Sequence, residues 1–316
     1  MSIYGDNCPL VLTPQQLNDL RSDTGVAVLD ASWFMPNAPR NAKGEFAQKR
    51  IRGAQLLDLD HVASPNELGL KHMMPSPEAF AKACEDFGIS PSSHVVIYDT
   101  HGVFSSPRAL FMFRTFGHNR SSILNGGLPA WEAHGCPIDQ GHATAPSKSV
   151  YPPPKMNDRA IRDYLQMRQN ATLNPAGESA AEIVVDARPQ GRFHGTDPEP
   201  RPGLSSGHIP HSRSLPFTAF LETNNYEKDG TTATYTTLRS PTGIYESLQT
   251  ALGPEYTKEV MSGKRNIVAT CGSGMTAGVL WLGMKTLGVD NIGLYDESWT
   301  GYASREESPI EKTTQP

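Results

Sequence analysis

The sequence predicts an α/β protein with two domains of similar architecture, each built on a central parallel sheet flanked by helices. Two observations support this prediction: short β-branched runs alternate with helical patterns, and the whole pattern occurs twice along the 316 residues. Domains contain roughly 100 to 200 residues, so the chain is long enough for two apolar cores. Strands that alternate with helices form parallel sheets that are covered on both faces.

Four apolar runs are predicted to be buried strands. They are VAVLD (26–30), HVVIYD (94–99), EIVVDA (182–187) and NIVATC (266–271). A helix is predicted to begin at Pro77 and to end at Gly88, because proline suits a first helical turn and glycine suits the residue after the last one. Helical stretches are also predicted after the second and fourth strands.

The two halves repeat each other. The VLDAS motif around Asp30 matches VVDAR around Asp186, and the strand that ends at Asp99 matches the strand that ends at Cys271. An aromatic residue follows 32 residues after Asp99 and 31 residues after Cys271. We therefore predict a duplicated domain, with residues 1–140 forming the first copy and residues 158–316 the second.

Two kinds of segment interrupt this repeat. Residues 141–157 are rich in proline and small polar residues, which predicts a semi-rigid linker. In the first half, Asp30 and Asp99 are 69 residues apart. In the second half, the equivalent residues Asp186 and Cys271 are 85 residues apart, so this half has about 16 extra residues. We expect them in the loop-like segments 195–207 or 222–237.

Composition excludes several classes of partner. The formal charge of −5 comes from 28 basic and 33 acidic residues mixed along the chain, which argues against nucleic-acid binding. No apolar run approaches the roughly 18 residues that span a bilayer, so no membrane association is expected. The N-terminus, which includes Asp6, lacks a leader pattern, and this favours the cytosol over the mitochondrion.

The cysteine and histidine patterns predict neither a disulfide framework nor a metal site. The four cysteines are scattered along the sequence, which suits a reducing compartment. His208 and His211 form a close pair, but a proline lies between them where a metal-binding helix would not form. We expect no metal and no cofactor.

Cys271 is the candidate nucleophile. It ends a predicted strand and is followed by a glycine-rich turn and an apolar helix, and chemistry in open α/β sheets collects at the carboxyl ends of strands. Gly272 and Gly274 allow the loop to curl so that its N–H groups and the positive helix end cradle an anion. Such a cradle favours the thiolate, although a buried structural cysteine is the commoner case. The first half has Asp99 at this position, so only the second half is predicted to be catalytic.

The residue at position 277 separates two cysteine chemistries. Cysteine phosphatases have an arginine six positions after the nucleophile, where its planar fork holds the phosphate. Here that residue is Ala277. Sulfur transfer is therefore favoured over phosphate-ester hydrolysis. Cys84 and Cys136 do not lie between a strand and a glycine turn, so we expect them to be structural.

The loop CGSGMTA (271–277) resembles the CGSGVTA loop of the 3-mercaptopyruvate sulfurtransferases, the two-domain relatives of rhodanese. Thiosulfate-specific rhodaneses have basic residues in a CRKG-type loop, whereas Gly272 and Ser273 are not basic. The similarity extends over nearly the whole chain, including VLDASW (28–33), HMMPSPEAFA (72–81), DARPQGRFHGTDPEPRPG (186–203) and YDESW (295–299). It implies two tandem rhodanese-like domains, of which only the second is catalytic.

The resemblance also implies roles for individual residues. Cys271 would take the sulfur as a persulfide, and Ser273, Asp60 and His72 would manage protons. Arg192 and Arg201 would bind the carboxylate and ketone of the substrate, and the loop residues Gly272, Gly274, Met275 and Thr276 would line its site. The simpler alternatives are a helix cap at Ser273, a surface carboxylate at Asp60, a loop histidine at His72, and arginines that pair with Asp197 or Glu199.

The implied reaction moves sulfur from 3-mercaptopyruvate, through Cys271, to a thiol, cyanide or a thioredoxin-like protein. Three alternatives stay open: a thiosulfate:cyanide sulfurtransferase, a protein that relays persulfide to a partner, and a cysteine phosphatase, in that order. One departure from relatives concerns the pocket. Glu297 stands where relatives have glycine, and we expect it to alter the edge of the substrate site.

Overall fold

The computed structural model describes residues 4, 8–21, 25–228 and 230–313, so Asp6 lies outside the described residues. Its internal contacts divide the chain into two compact units. Unit 1 comprises Met1–Ser64, Met74–Asn157 and Leu221–Leu238, and unit 2 comprises Pro65–Met73, Asp158–Phe220 and Arg239–Pro316. Residues 141–157 thus group with unit 1. Residues 65–73 of the first half therefore belong to unit 2, and residues 221–238 of the second half belong to unit 1.

Most strands have two to five residues, as expected for α/β domains, and two have eight residues each. In chain order they are β1 (Val11–Leu12), β2 (Val26–Asp30), β3 (Arg50–Ile51), β4 (Gln55–Leu56), β5 (His94–Tyr98), β6 (Ser121–Leu124), β7 (Ile138–Asp139), β8 (Ile161–Arg162), β9 (Ile183–Asp186), β10 (Arg213–Ser214), β11 (Leu221–Lys228), β12 (Thr231–Leu238), β13 (Ile267–Thr270) and β14 (Ile292–Tyr295).

Helices, singly or in pairs, separate most of these strands along the chain. In chain order they are α1 (Pro14–Leu20), α2 (Ala42–Gln48), α3 (Leu59–Val62), α4 (Pro77–Asp86), α5 (Ser106–Thr115), α6 (Gly127–Ala133), α7 (Tyr164–Asn170), α8 (Gln190–His194), α9 (Pro241–Leu252), α10 (Pro254–Met261), α11 (Ala277–Thr286) and α12 (Ser298–Ala303), with 3₁₀ turns at Asp158–Ala160 and Phe217–Phe220.

Each unit has a five-stranded parallel sheet with the same topology. The strand order is β1-β6-β5-β2-β4 in unit 1 and β8-β14-β13-β9-β10 in unit 2. The central strands β5 and β13 are buried along their whole length. The predicted α/β fold class is confirmed, and so is the repeat, because all four predicted strands occupy equivalent places in the two sheets.

Apolar side chains cover both faces of each sheet. In unit 1 the core includes Val96 and Trp131, which are fully buried, and in unit 2 it includes Val268 and Trp299. The predicted helix at Pro77 is α4, whose first turn is capped because the Ser76 hydroxyl accepts a hydrogen bond from a backbone N–H. No helix of the described ranges is both long and apolar enough to cross a bilayer.

The hairpin β11–β12 accounts for extra residues in the second half. Its strands pair antiparallel from Leu221↔Leu238 to Lys228↔Thr231, and it belongs to unit 1. There the N–H of Leu238 donates to Oδ1 of Asn125 at 2.9 Å, and the Thr236 hydroxyl donates to the carbonyl of His101 at 3.2 Å. The hairpin therefore packs on the carboxyl edge of the unit 1 sheet, where the loops after β5 and β6 lie.

Gly283 tests the packing of unit 2. A Cβ atom there would lie 2.4 Å from Cδ2 of the fully buried Phe220. Alanine favours a helix by about 1 kcal/mol, but overpacking a core costs about 1–3 kcal/mol, so we expect Gly283→Ala to lower the free energy of unfolding. Urea denaturation would measure it. Gly177→Ala is the control, since a Cβ at Gly177 would meet nothing within 4 Å; equal effects of the two changes would contradict the packing argument.

The burial of His118 predicts that the protein loses stability in acid. Its ring contacts the Tyr151 hydroxyl at 2.9 Å and the Ser93 carbonyl at 3.1 Å, and burial lowers its pKa to about 4. An unfolded histidine has a pKa of about 6.5. As the pH falls from about 6.5 to 4, the unfolded chain binds a proton that the folded chain does not, so folding loses up to about 3 kcal/mol from this residue.

The corresponding variant is His118→Gln. We expect its unfolding free energy, measured between pH 7 and pH 4, to fall less steeply than that of the wild type, even if its stability at pH 7 is lower. Two parallel curves would show that His118 does not take part in the acid response.

Candidate active site

Cys271 follows β13 at the carboxyl edge of the unit 2 sheet. Its side chain is buried, and its Sγ accepts a hydrogen bond from the N–H of Gly274 at 3.1 Å. Gly274 has φ +85°, a left-handed conformation that suits glycine and turns this N–H toward the sulfur. A negative charge on the sulfur is therefore stabilised by the loop that follows it.

The helix α11 strengthens this cradle. It begins at Ala277, and its N-cap residue Thr276 makes no side-chain capping hydrogen bond. The first N–H groups of a helix have no partner within the helix, and they form its positive end. The loop Cys271–Thr276 with the start of α11 thus has the properties of an anion-binding site. Met275, a residue of this loop, is buried.

Residues 298–300 hold the backbone of the cysteine loop. The N–H of Cys271 donates to Oγ of Ser298 at 3.1 Å, and the carbonyl of Cys271 accepts from the N–H of Trp299 at 2.9 Å. The carbonyl of Gly272 accepts two hydrogen bonds from Thr300, from its N–H and from its hydroxyl. Four hydrogen bonds therefore determine where the nucleophile lies.

Ser298 is a functional residue that the sequence analysis missed. It is fully buried and has φ +51°, which is unfavourable for a residue with a side chain. Unit 1 has a glycine, Gly127 with φ +55°, at the equivalent place in the repeat. A serine where the first copy of the repeat has glycine could have pointed to this residue. Its hydroxyl accepts the hydrogen bond from the Cys271 N–H, which accounts for a serine in this left-handed conformation.

His72 and Ser273, which are both predicted to handle protons, are hydrogen-bond neighbours. Nε2 of His72 lies 2.9 Å from Oγ of Ser273, and His72 is buried with φ +47°. His72 belongs to the segment 65–73, which groups with unit 2. Ser273 does not occupy the N-cap position of α11, which is Thr276. Asp60 belongs to unit 1, where its Oδ2 accepts a hydrogen bond from the Trp33 indole at 3.2 Å.

Both predicted substrate arginines face the residue that follows the nucleophile. A Cβ atom built on Gly272 would lie 3.1 Å from NH2 of Arg192 and 3.7 Å from NH1 of Arg201. Gly272 does not have a positive φ, so its backbone conformation does not require glycine. A side chain at this position would crowd the guanidinium of Arg192 and contact that of Arg201. Two cations therefore flank the cysteine loop.

A buried ion-pair network positions one of these arginines. Arg192 pairs with both carboxylate oxygens of Glu199, at 3.1 and 3.3 Å, and Glu199 also pairs with Arg188 at 2.7 Å. The alternative that Arg192 pairs with Glu199 is thus correct, yet the same guanidinium also reaches Gly272. Among the described residues, no hydrogen bond or ion pair involves the guanidinium of Arg201.

Arg188 anchors this network. It is fully buried, pairs with Asp186 at 2.6 Å and lies 4.2 Å above the Trp299 ring. Burial alone would lower its pKa, but the carboxylates of Asp186 and Glu199 outweigh burial and raise it. The Arg188 guanidinium therefore remains charged. Its charge compensates the buried carboxylates of Asp186 and Glu199, which would be costly to bury without a partner.

Two other expectations can be compared with the structure. The Oε1 atom of Glu297 accepts a hydrogen bond from Arg305 at 3.2 Å, and its side chain packs against Gly301. The effect of Glu297 on the edge of the substrate site stays a prediction. Cys84 is buried, and burial raises the pKa of its thiol well above the ordinary value, as suits a structural cysteine.

Comparison with known proteins agrees with this arrangement. The sequence pattern of the rhodanese-like domain matches residues 13–134 and 169–305, one match for each copy of the repeat. The chain belongs to the rhodanese family. Both copies of the duplicated domain predicted from the sequence are therefore rhodanese-like domains.

Relatives within the rhodanese family cover nearly the whole chain. It is 35% identical to the human 3-mercaptopyruvate sulfurtransferase over 287 residues, which are 90% of this chain and 87% of that protein. It is 34% identical to the mitochondrial thiosulfate/3-mercaptopyruvate sulfurtransferase 1 of Arabidopsis thaliana, over 90% of this chain and 73% of that one. The crystal structure of SseA from Escherichia coli, described as a 3-mercaptopyruvate sulfotransferase, superposes with a TM-score of 0.73 at 28% identity, covering 92% and 99% of the two chains.

Ser298→Ala tests the support of the cysteine loop. The change leaves the buried N–H of Cys271 without its acceptor, which costs about 1–3 kcal/mol. We expect a loss of unfolding free energy of this size in urea denaturation. Ser262→Ala removes an exposed hydroxyl that donates to the Glu259 carbonyl and should change stability by less than about 0.5 kcal/mol. If both variants are equally stable, Ser298 does not hold the loop.

Proposed function

We propose that this protein is a 3-mercaptopyruvate sulfurtransferase that transfers sulfur through a persulfide on Cys271 and releases pyruvate. One observation supports the proposal most directly: the guanidinium groups of Arg192 and Arg201 face Gly272, the residue next to the nucleophile. An α-keto acid needs such groups, because guanidinium binds a carboxylate through two parallel hydrogen bonds. The names of the relatives support the same substrate.

In the first half-reaction, the Cys271 thiolate attacks the thiol sulfur of 3-mercaptopyruvate. The bond between that sulfur and carbon breaks, and its electron pair stays on the carbon as the enolate of pyruvate. The proton of the attacked thiol is then transferred to this carbon, so pyruvate and a cysteine persulfide anion result. Arg192 and Arg201 would orient the carboxylate and ketone throughout.

The pair His72 and Ser273 is suited to move that proton. Their 2.9 Å contact lets the imidazole accept a proton from the serine hydroxyl or return it, as general acid–base catalysis requires. By the family pattern, Asp60 is the third member of this relay. Gly272, Gly274, Met275 and Thr276 would shape the substrate site, and no metal or cofactor enters the proposed reaction.

In the second half-reaction, a thiol, cyanide or a reduced thioredoxin-like protein attacks the outer sulfur and restores the thiolate. A covalent intermediate between two half-reactions predicts ping-pong kinetics. Only the domain at 158–316 would be catalytic, since the first domain has Asp99 in place of the cysteine. Four free cysteines suit a reducing compartment such as the cytosol.

Intact-mass spectrometry tests the covalent step. After incubation with 3-mercaptopyruvate we expect one added sulfur atom, which a reductant removes, and Cys271→Ser should neither gain this mass nor turn over substrate. Cys136→Ser is the control and should behave as the wild type. Activity near the wild-type level in Cys271→Ser would show that the nucleophile is assigned wrongly.

Arg192→Ala tests the substrate assignment. Loss of a hydrogen bond to a charged group costs about 1.5–3 kcal/mol, so kcat/KM for 3-mercaptopyruvate should fall about 10- to 100-fold, mainly through KM. Thiosulfate has no carboxylate, so its kcat/KM should change less. Arg168→Ala, on the exposed face of α7, is the matched control. Equal losses with both donors would contradict a carboxylate-binding role and would favour the thiosulfate alternative.

A further inference from the structure

The loop that follows β5 in unit 1 surrounds a buried carboxylate with hydrogen-bond donors. Asp99 is fully buried, and none of the arginines or lysines that the structure describes forms an ion pair with it. Hydrogen-bond donors, and not a cation, therefore contact its oxygens. The donors to Oδ1 are the N–H groups of His101 and Gly102, both at 3.0 Å, and the donors to Oδ2 are the N–H groups of Phe104, Ser105 and Ser106, at 2.9, 3.1 and 2.9 Å, and the Ser106 hydroxyl at 2.7 Å.

This loop has the same construction as the cysteine loop of unit 2. In both loops the N–H of the third residue after the strand-end side chain donates to that side chain: Gly102 to Asp99, and Gly274 to Cys271 at 3.1 Å. Both glycines have positive φ, and a ten-residue helix, α5 or α11, begins shortly after each loop. The duplicated domain has therefore kept its cradle in both copies.

The two side chains differ in how far they reach. In aspartate the charged oxygen is two bonds from Cβ, whereas in cysteine the sulfur is one bond from Cβ. The oxygens of Asp99 are therefore as many bonds from Cβ as the outer sulfur of a cysteine persulfide would be. Six hydrogen-bond donors contact the two oxygens of Asp99. These hydrogen bonds explain how the carboxylate is buried without a cation beside it.

We propose that the loop Asp99–Ser106 is a second anion-binding site, that the Asp99 carboxylate is its internal ligand, and that the site binds a small free carboxylate when this side chain is removed. The ligand class follows from the donors, which suit one negative charge shared by two oxygens. The site is independent of sulfur transfer at Cys271.

Neighbouring elements of unit 1 pack directly on this loop. The carbonyl of Asp99 accepts a hydrogen bond from the N–H of Leu128, and a Cβ on Gly102 would lie 2.3 Å from the Thr236 carbonyl oxygen. The start of α6 and the hairpin β11–β12 are thus in direct contact with the loop. Donors left without an acceptor would destabilise this whole edge of unit 1, so occupancy of the site is measurable as stability.

The test is rescue of Asp99→Ala by formate, which replaces the carboxylate that the change removes. We expect the full-length variant to unfold several degrees below the wild type, and sodium formate to raise its midpoint more than sodium chloride does at equal ionic strength. The gain should saturate with concentration, as for a single binding site. Formate and chloride should act alike on the wild type, whose site is already occupied.

Two variants serve as controls. Asp30→Ala removes another buried carboxylate at a strand end of unit 1, which accepts a backbone N–H from Ser32, and formate should not rescue it beyond chloride. Asp99→Asn keeps the volume but places an amide NH₂ among donors; it should be destabilised and insensitive to formate, because no space is left.

Three outcomes would overturn the proposal: Asp99→Ala as stable as the wild type, equal effects of formate and chloride on it, or equal rescue of Asp30→Ala. If Asp99→Ala does not fold in buffer, its refolding from urea is compared in formate and in chloride. Recovery in formate alone supports the site, and no recovery in either salt counts against it.

Discussion

Backbone N–H groups that donate to the side chain at the end of a central strand are the constraint on which the rest of this structure depends. A tight loop between a buried strand and a helix turns several of these donors inward, and buried donors require an acceptor. In unit 2 the acceptor is the sulfur of Cys271, and in unit 1 it is the carboxylate of Asp99. One fold thus provides either a reactive site or a closed one, depending on a single side chain.

The reactive loop is held from two directions. Behind it, Ser298 and its neighbours bind the backbone of Cys271, which accounts for a buried serine in a left-handed conformation. Beside it, Glu199 holds Arg192 against Gly272, and Arg188 holds Glu199. These groups are buried and mutually hydrogen-bonded, so the guanidinium that would bind substrate is oriented before substrate arrives, which reduces the entropy lost on binding.

Glu297 directly precedes Ser298, the residue that holds the backbone of Cys271. Its carboxylate pairs with Arg305, whose guanidinium lies over the Tyr164 ring. Glu297 is thus part of the packing behind the cysteine loop, and its effect on the edge of the substrate site stays a prediction.

Local patterns in the sequence were sufficient for the strands, the repeat and the nucleophile. Runs of β-branched residues identify buried strands, and the chemistry of a cysteine before a glycine turn is a property of adjacent residues. The pairing of His72 with Ser273 and the place of the hairpin 221–238 in unit 1 depend on contacts between residues distant along the chain. No local pattern encodes such contacts, so only the tertiary structure decided them, as it decided that Ser298 holds the loop and that six donors enclose Asp99.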